Sequence, residues 1–319
     1  MNAQEKTMVR QEIAVFGEAL VDDFGSVQVV GGAPFNVARH LAGLGLQPLM
    51  ITRIGNDANG ALVRGEFERY RMDEAGLQTG TGEATGRVAV EMAADGSHRF
   101  DILPHQAYDA IDAQAAVQAL AKAQPDVLYF GTLVQREEAS RAALHAVQKA
   151  AGAQRYLDLN LRDGQYTERT VFDSLAQADI LKVNDDELAQ LFDWYSHQCP
   201  PLDDMASLDV RMACAELMSN FSLQGMIVTL GPRGAVYFSA DGGMTAVAGA
   251  PVDKLVDTVG AGDAFSAVFL LGRARGWPLD TTLERANAFA GAVCGLAGAV
   301  PGDMRFYSDW IGRWHRSAD

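Results

Sequence analysis

The sequence predicts one large α/β domain, with a mainly parallel sheet and a small separate β-sheet. Three observations predict it. From about residue 113 onward, short apolar runs alternate with amphipathic stretches, the pattern of strands joined by crossover helices. One segment, Thr85 to Leu103, breaks that alternation with the period of a hairpin. Asp257-Thr258-Val259-Gly260-Ala261-Gly262-Asp263 forms a glycine-rich turn leading directly into a long apolar helix. No linker, repeat or low-complexity tract divides the chain, so residues 1–319 read as a single domain.

In order, Ile13 to Gly17 reads as a buried first strand. Glu18 to Asp23 reads as a loop of carboxylates past its C-terminal end, where open α/β sheets bind ligands. Gly31-Gly32-Ala33-Pro34-Phe35-Asn36 leads into a small-residue helix that Gly45 stops. Leu49 to Ile54 is the next strand, and Asp57 to Tyr70 an amphipathic helix. Thr85 to Leu103 is a hairpin turning at Asp95-Gly96. Together with Val27 to Val30 it predicts a small lid spanning about 18–31 and 85–105. Helices are then expected at Ala113–Ala123, Glu137–Ala150, Val171–Gln177, Glu187–Phe192 and Asp209–Asn220. Strands are expected at Asp126–Phe130, Arg155–Asn160, Ile180–Asn184, Met226–Leu230, Ala235–Phe238 and Met244–Ala248. His197 to Leu208 is a surface excursion. Helices Ala264–Ala274, Leu283–Ala297 and Asp303–Trp314 end the chain.

Composition narrows the function. The net charge of −15 leaves no basic footprint for nucleic acid or an anionic membrane, while 48% hydrophobic residues suffice for a large core. Three dispersed cysteines suggest neither a disulfide framework nor a zinc site. Met1 to Arg10 is polar and no apolar run reaches membrane-spanning length, so a soluble, cytoplasmic protein is expected. No Walker motif, dinucleotide fingerprint or nucleophile elbow occurs.

The chemistry is concentrated in a few places. Gly260 and Gly262 open a helix whose first amides and positive dipole end can hold an anion. Asp263 puts a carboxylate at the mouth of that site. It would repel a phosphate, which makes chemical sense if its task is to take a proton from an attacking hydroxyl. An ordinary helix start uses the same residue types. Asn36, behind a double glycine, suits a sugar hydroxyl or a plain helix cap. Asp22, Arg162 and the pair Asn184 and Glu187 sit at strand ends. Each also reads as solvated surface or as a helix start. Gly231-Pro232-Arg233-Gly234 could lie against a nucleotide or simply turn a hairpin.

Two segments more than two hundred residues apart resemble the ribokinase-like (PfkB) carbohydrate kinases. Gly31 to Ala38, with Gly45 and Gly55 downstream, matches the family's first pattern, and Asp257 to Asp263 matches its second. The resemblance covers nearly the whole chain. It implies a three-layer α/β/α domain with a β lid, and transfer of the γ-phosphoryl group of ATP, with Mg²⁺, to a sugar hydroxymethyl group. It implies Asp263 as general base and Gly260, Ala261 and Gly262 as the anion hole. It implies Asp22, Gly32 and Asn36 as sugar contacts. It further implies Asn184 and Glu187 at the Mg²⁺ and phosphate, Glu187 reaching the ion through water. Thr229, Gly231, Gly234 and Asn287 fall at ATP. Asp257 and the Val259 carbonyl border a monovalent cation site, for K⁺. Gly17-Glu18, Ala33-Pro34 and Asp158-Leu159-Asn160-Leu161-Arg162 look more like fructokinases than ribokinases, so fructose is the expected acceptor. A 2-keto-3-deoxygluconate kinase is the near alternative, with Arg162 on the substrate carboxylate. A nucleoside kinase and a non-catalytic binding relative are the others. Val268 departs from the small residue usual at its place. A lid-to-lid homodimer is a further expectation.

Overall fold

A computed structural model describes residues 12–92, 98–252 and 254–316. The expected α/β/α architecture is present. The main sheet has nine strands: β1 (Ile13–Phe16), β4 (Leu49–Gly55), β5 (Leu77–Gly80), β8 (Val127–Phe130), β9 (Gln154–Asp158), β10 (Ile180–Asn184), β11 (Gly225–Thr229), β12 (Ala235–Ser239) and β13 (Met244–Val247). Their order is β13-β12-β11-β10-β9-β8-β1-β4-β5. All neighbours pair parallel except β11–β12 and β12–β13. The second sheet, in the order β3-β2-β6-β7, consists of β2 (Leu20–Asp23), β3 (Gln28–Gly31), β6 (Gly86–Met92) and β7 (His98–Ile102).

The central strands are apolar on both faces because helices cover both. In β1, Ala14 and Phe16 join one core with Leu181 and Val183 of β10, whereas Ile13 and Val15 join the other. The first core is closed by α3 (Ala113–Ala123), α4 (Glu138–Ala150), α5 (Glu168–Ala176), α6 (Asp185–Tyr195) and α7 (Leu208–Phe221). The second is closed by α1 (Ala33–Gly43), α2 (Ala58–Arg69), α8 (Ala261–Arg275), α9 (Leu279–Val293) and α10 (Arg305–Arg316). Val268 is fully buried in this second core. Burying side chains of this size contributes about 1.5–3 kcal/mol each before entropy is counted.

Four expectations are corrected. Leu20–Asp23 is a strand, not loop, pairing with β3 and β6. A four-residue strand ending in two aspartates carries no readable alternation. Strand β5 at the sheet edge was not foreseen, because only Leu77 in it is strongly apolar. The helix expected over Leu283–Ala297 runs instead over Leu279–Val293. It starts right after Pro278, whose fixed φ suits a helix entrance, and it stops short of Gly295 and Gly298. The last helix ends at Arg316 rather than Trp314. The Asp95-Gly96 turn lies outside the described residues.

Candidate active site

Residues at or just past the C-terminal ends of β1, β9 and β10 gather at the start of α8, where Glu18, Asp158, Arg162 and Lys182 all act on Asp263. There Gly260 caps the helix with φ 78°, the left-handed region that favours glycine. A Cβ at Gly260 would also lie 2.5 Å from the Ala299 Cβ. Ala299 is anchored from behind: His40 on α1 lies 3.0 Å from its carbonyl through Nε2, and the Tyr307 hydroxyl lies 3.1 Å from His40 Nδ1. Burial drives the His40 pKa down to about 3. The ring is therefore neutral: Nε2–H donates to the carbonyl and Nδ1 accepts from Tyr307. The Ala261 amide donates to the Thr258 carbonyl at 3.2 Å, so of the expected anion-binding residues it is already engaged. The next amides, Gly262 and Asp263, stand in the part of a helix that lacks intrahelical acceptors.

Asp263 is partly buried in the first turn of α8. Its Oδ2 accepts a 2.7 Å hydrogen bond from Asn36 Nδ2, 227 residues away in the chain. Asn36 is 5% exposed, and its Oδ1 accepts from Arg39 Nη2 at 2.5 Å, which fixes which way the amide points. Arg39 is in turn held by the Val30 carbonyl and by Glu66, both at 2.8 Å. Burial pushes the Asp263 carboxyl up to about 6; Asn36 opposes this, Asp158 adds to it, and Lys182 and Arg162 oppose it. The first sequence motif thus orients the acid of the second.

Two more acids face this point. Glu18 follows β1, is 3% exposed, and has an Oε2 with no hydrogen-bond partner. Burial pushes it up to about 7, against its own amide, Arg162 and the Ala33 amide. Asp22, on β2, is pushed up to about 6 by burial, against Arg162 and Arg39. Gly32 has φ 102°, and a Cβ there would sit 2.6 Å from the Glu18 carbonyl oxygen. Arg162 is exposed, and its carbonyl accepts from the Gln165 amide at 2.9 Å. It sits two residues past Asn160, whose φ of 43° turns the chain at the end of β9.

The expected nucleotide residues lie along the neighbouring strand ends. Asn184 caps α6: its Oδ1 accepts from the Glu187 amide at 2.8 Å, and Glu187 Oε2 accepts from the Asn184 amide at 2.9 Å. Glu187 Oε1 accepts from the Leu161 amide at 2.8 Å, and burial raises its carboxyl against the pull of Lys182. Thr229 pairs with Asn184 across β10 and β11. Gly231 and Gly234 have φ 55° and 105°, and a Cβ at Gly234 would lie 2.0 Å from the Val247 carbonyl oxygen. Asn287 Nδ2 donates to the Ala248 carbonyl at 2.7 Å. A cavity of about 310 Å³ opens here, lined by Leu230, Arg233, Val236, Met244 and Ala248. Asp257 accepts from the amides of Val259 (3.0 Å) and Gly298 (3.2 Å), while Val259 itself is 50% exposed. Among the described residues no three His, Cys, Asp or Glu side chains could hold a metal by themselves.

Sequence reasoning missed one pair. Lys182 on β10 and Asp158 on β9 are 7% and 1% exposed and joined at 2.9 and 3.2 Å. The signal was available: a lysine inside Ile180-Leu181-Lys182-Val183 and an aspartate inside Tyr156-Leu157-Asp158-Leu159 have no place in buried strands without a partner.

A carboxylate in the first turn of a helix, beside amides without intrahelical acceptors and on a doubly covered parallel sheet, is an arrangement compatible with phosphoryl transfer. The model of the pfkB family carbohydrate kinases matches residues 9–304, and the chain belongs to that family; it is a phosphotransferase acting on a sugar. It is 29% identical over 321 residues to Fructokinase-1 of Oryza sativa subsp. japonica, across 92% of this chain and 94% of the rice protein. Fructokinase with bound ATP from Xylella fastidiosa superposes with a TM-score of 0.75 at 20% identity, covering 97% of this chain and 100% of that one. The 2-dehydro-3-deoxygluconokinase of Thermotoga maritima gives 0.74 at 18%, covering 94% and 99%. No helix among the described residues is long and apolar enough to cross a membrane.

Proposed function

We propose that this kinase transfers the γ-phosphoryl group of ATP to a hydroxymethyl group of fructose. The observation that carries the reading is the Asp263 carboxylate, held at 2.7 Å by Asn36 in the first turn of α8. From there it takes the proton of the attacking hydroxyl, while the Gly262 and Asp263 amides meet the charge developing on the phosphoryl oxygens. ATP lies along Asn184, Thr229 and the Gly231–Gly234 turn, its base toward the cavity beside Leu230. Glu187, whose carboxylate oxygens both accept backbone amides, would hold Mg²⁺ through water, and the ion would neutralise phosphate charge. Asp257 and Val259 border a K⁺ site. The second sheet, carrying Asp22, acts as a lid that excludes water. Its exposed Phe24, Val27 and Val29 are where two lids would meet in a homodimer. A cytoplasmic location accords with this chemistry.

Charge favours a neutral acceptor. Glu18, Asp22 and Asp263 all draw on Arg162, while Arg39 and Lys182, the other cations acting on Asp22 and Asp263, are already paired with Glu66 and Asp158. A 2-keto-3-deoxygluconate carboxylate would add a fourth acid to that set. The deciding experiment is ATP-dependent phosphorylation with Mg²⁺ across fructose, ribose, glucose, tagatose, 2-keto-3-deoxygluconate, fructose 6-phosphate, adenosine and pseudouridine. Saturable turnover highest on fructose is the expected result. A higher kcat/KM on another member replaces the acceptor, and silence from folded, ATP-binding protein overturns the reading.

A further inference from the structure

The buried pair Lys182 and Asp158 is unexplained by the fold. An ion pair in a strand core is no more stabilising than well-packed apolar side chains of the same volume, because each charge must leave water. Its position accounts for it. Along β8, β9 and β10, Tyr129, Tyr156 and Ile180 point into the core beneath α8; Asp158 and Lys182 share that face by the two-residue period of a strand. Asp158 Oδ2 also accepts from Ser266 on α8 at 2.8 Å and from the Tyr129 hydroxyl at 3.2 Å. Both side-chain hydrogen bonds of Lys182 go to Asp158, so an ammonium with three N–H groups keeps donor capacity in hand. Most telling is Gly262. A Cβ built there would lie 2.9 Å from Lys182 Nζ, so the ammonium occupies the space that the absent side chain leaves against the first turn of α8.

We propose that Lys182 is a positioning residue of phosphoryl transfer: held by Asp158, it supports the Gly262 turn and places a positive charge behind the anion hole. The idea rests on the location of the reacting centre at α8. Burial works against the ammonium, but Asp158, Glu187 and Asp263 outweigh it and keep Lys182 charged. The groups facing Asp263 are Asn36 from α1, Glu18 after β1, Tyr129 from β8, Asp158 from β9, Arg162 after β9 and Lys182 from β10. Of these, Lys182 favours the ionised base and Asp158 disfavours it. Gly262 is therefore glycine for two reasons: approach of an anion on one side, room for an ammonium on the other.

The test compares Lys182→Met with the double variant Lys182→Met/Asp158→Asn, which leaves no buried unpaired charge. Both are assayed on whichever acceptor of the panel the wild type phosphorylates best, so a wrong choice of sugar does not touch the result. Thermal melting selects the variants that fold. Each folded variant should lose about 10²-fold or more in kcat, the scale of losing one preorganised charge-stabilising group, with KM for ATP within about threefold. In Lys182→Met the acid limb of kcat/KM should move to higher pH, and in the double variant it should return toward wild type, because both opposing charges are gone. A double variant within about threefold of wild-type kcat, or an acid limb unmoved in a folded Lys182→Met, overturns the proposal.

Discussion

Replacing Asn36 by alanine should move the working pH of the enzyme, not only its rate. Asn36 donates the 2.7 Å bond that the Asp263 carboxylate accepts, and its own oxygen is pinned by Arg39. A hydrogen bond to a charged group is worth about 1.5–3 kcal/mol. At about 1.36 kcal/mol per pH unit, removing it raises the carboxyl pKa by about one to two units. Asp263 is only partly buried, and water replaces part of the lost bond, which favours about one unit. The base works ionised, so activity rises with pH through its pKa; a higher pKa carries the rising limb to higher pH. Starting from about 6, Asp263 is about 90% ionised at pH 7 in the wild type and about half ionised in the variant. The assay is kcat/KM for the sugar from pH 5 to 9 at saturating ATP. The variant should recover relative to wild type as pH rises. If kcat/KM falls by the same factor at every pH, Asn36 serves the sugar alone and the coupling between the two motifs is refuted.

Asp263→Asn should cut kcat by about 10²–10⁴-fold with ATP affinity little changed; near wild-type turnover would remove Asp263 as the base. Gly260→Ala forces a left-handed φ of 78° on a residue with a Cβ and drives that atom to 2.5 Å from Ala299. It should lower stability by about 1–3 kcal/mol and collapse turnover, both read on the same sample by melting and assay. Glu18 is raised in the fold to about 7 by burial, so the folded state binds its proton more tightly than the unfolded one. Its contribution is present below the unfolded value and is lost as pH rises toward 7, on the order of 3 kcal/mol. Glu18→Gln should therefore melt higher than wild type at pH 8, and the gap should close by pH 4; equal melting at both pH values would show that Glu18 is solvated.

Most of the fold was legible because its cause is local. Strands such as Ile180–Asn184 are apolar runs bounded by polar ends, and helices such as α3 and α4 carry one apolar stripe each. What failed was short or polar. Leu20–Asp23 and Leu77–Gly80 are strands because neighbours pair with them, not because their residues alternate. The displaced start of α9 turned on Pro278, which reads equally as the end of a loop or the entrance of a helix.

The site was legible residue by residue but not in its wiring. Asn36 and Asp263 were both singled out, yet as a sugar contact and a base. Their mutual bond depends on α1 packing against α8, which no spacing encodes. Glu187 was read toward a metal, but its oxygens first close the capping box of α6 and bind the Leu161 amide, a local role that the helix-start pattern had also offered. Lys182 is the instructive case. A lone lysine in an apolar strand is an anomaly whose partner cannot be found along the chain, because parallel strands bring together residues 24 apart by register rather than by periodicity. Once β9 lies beside β10, two anomalies become one pair, and the glycine above them acquires its second reason. An ionisable residue that breaks a buried strand should therefore be read with its counterpart on the adjacent strand, and the place where their shared face meets a helix start is where the chemistry is to be sought.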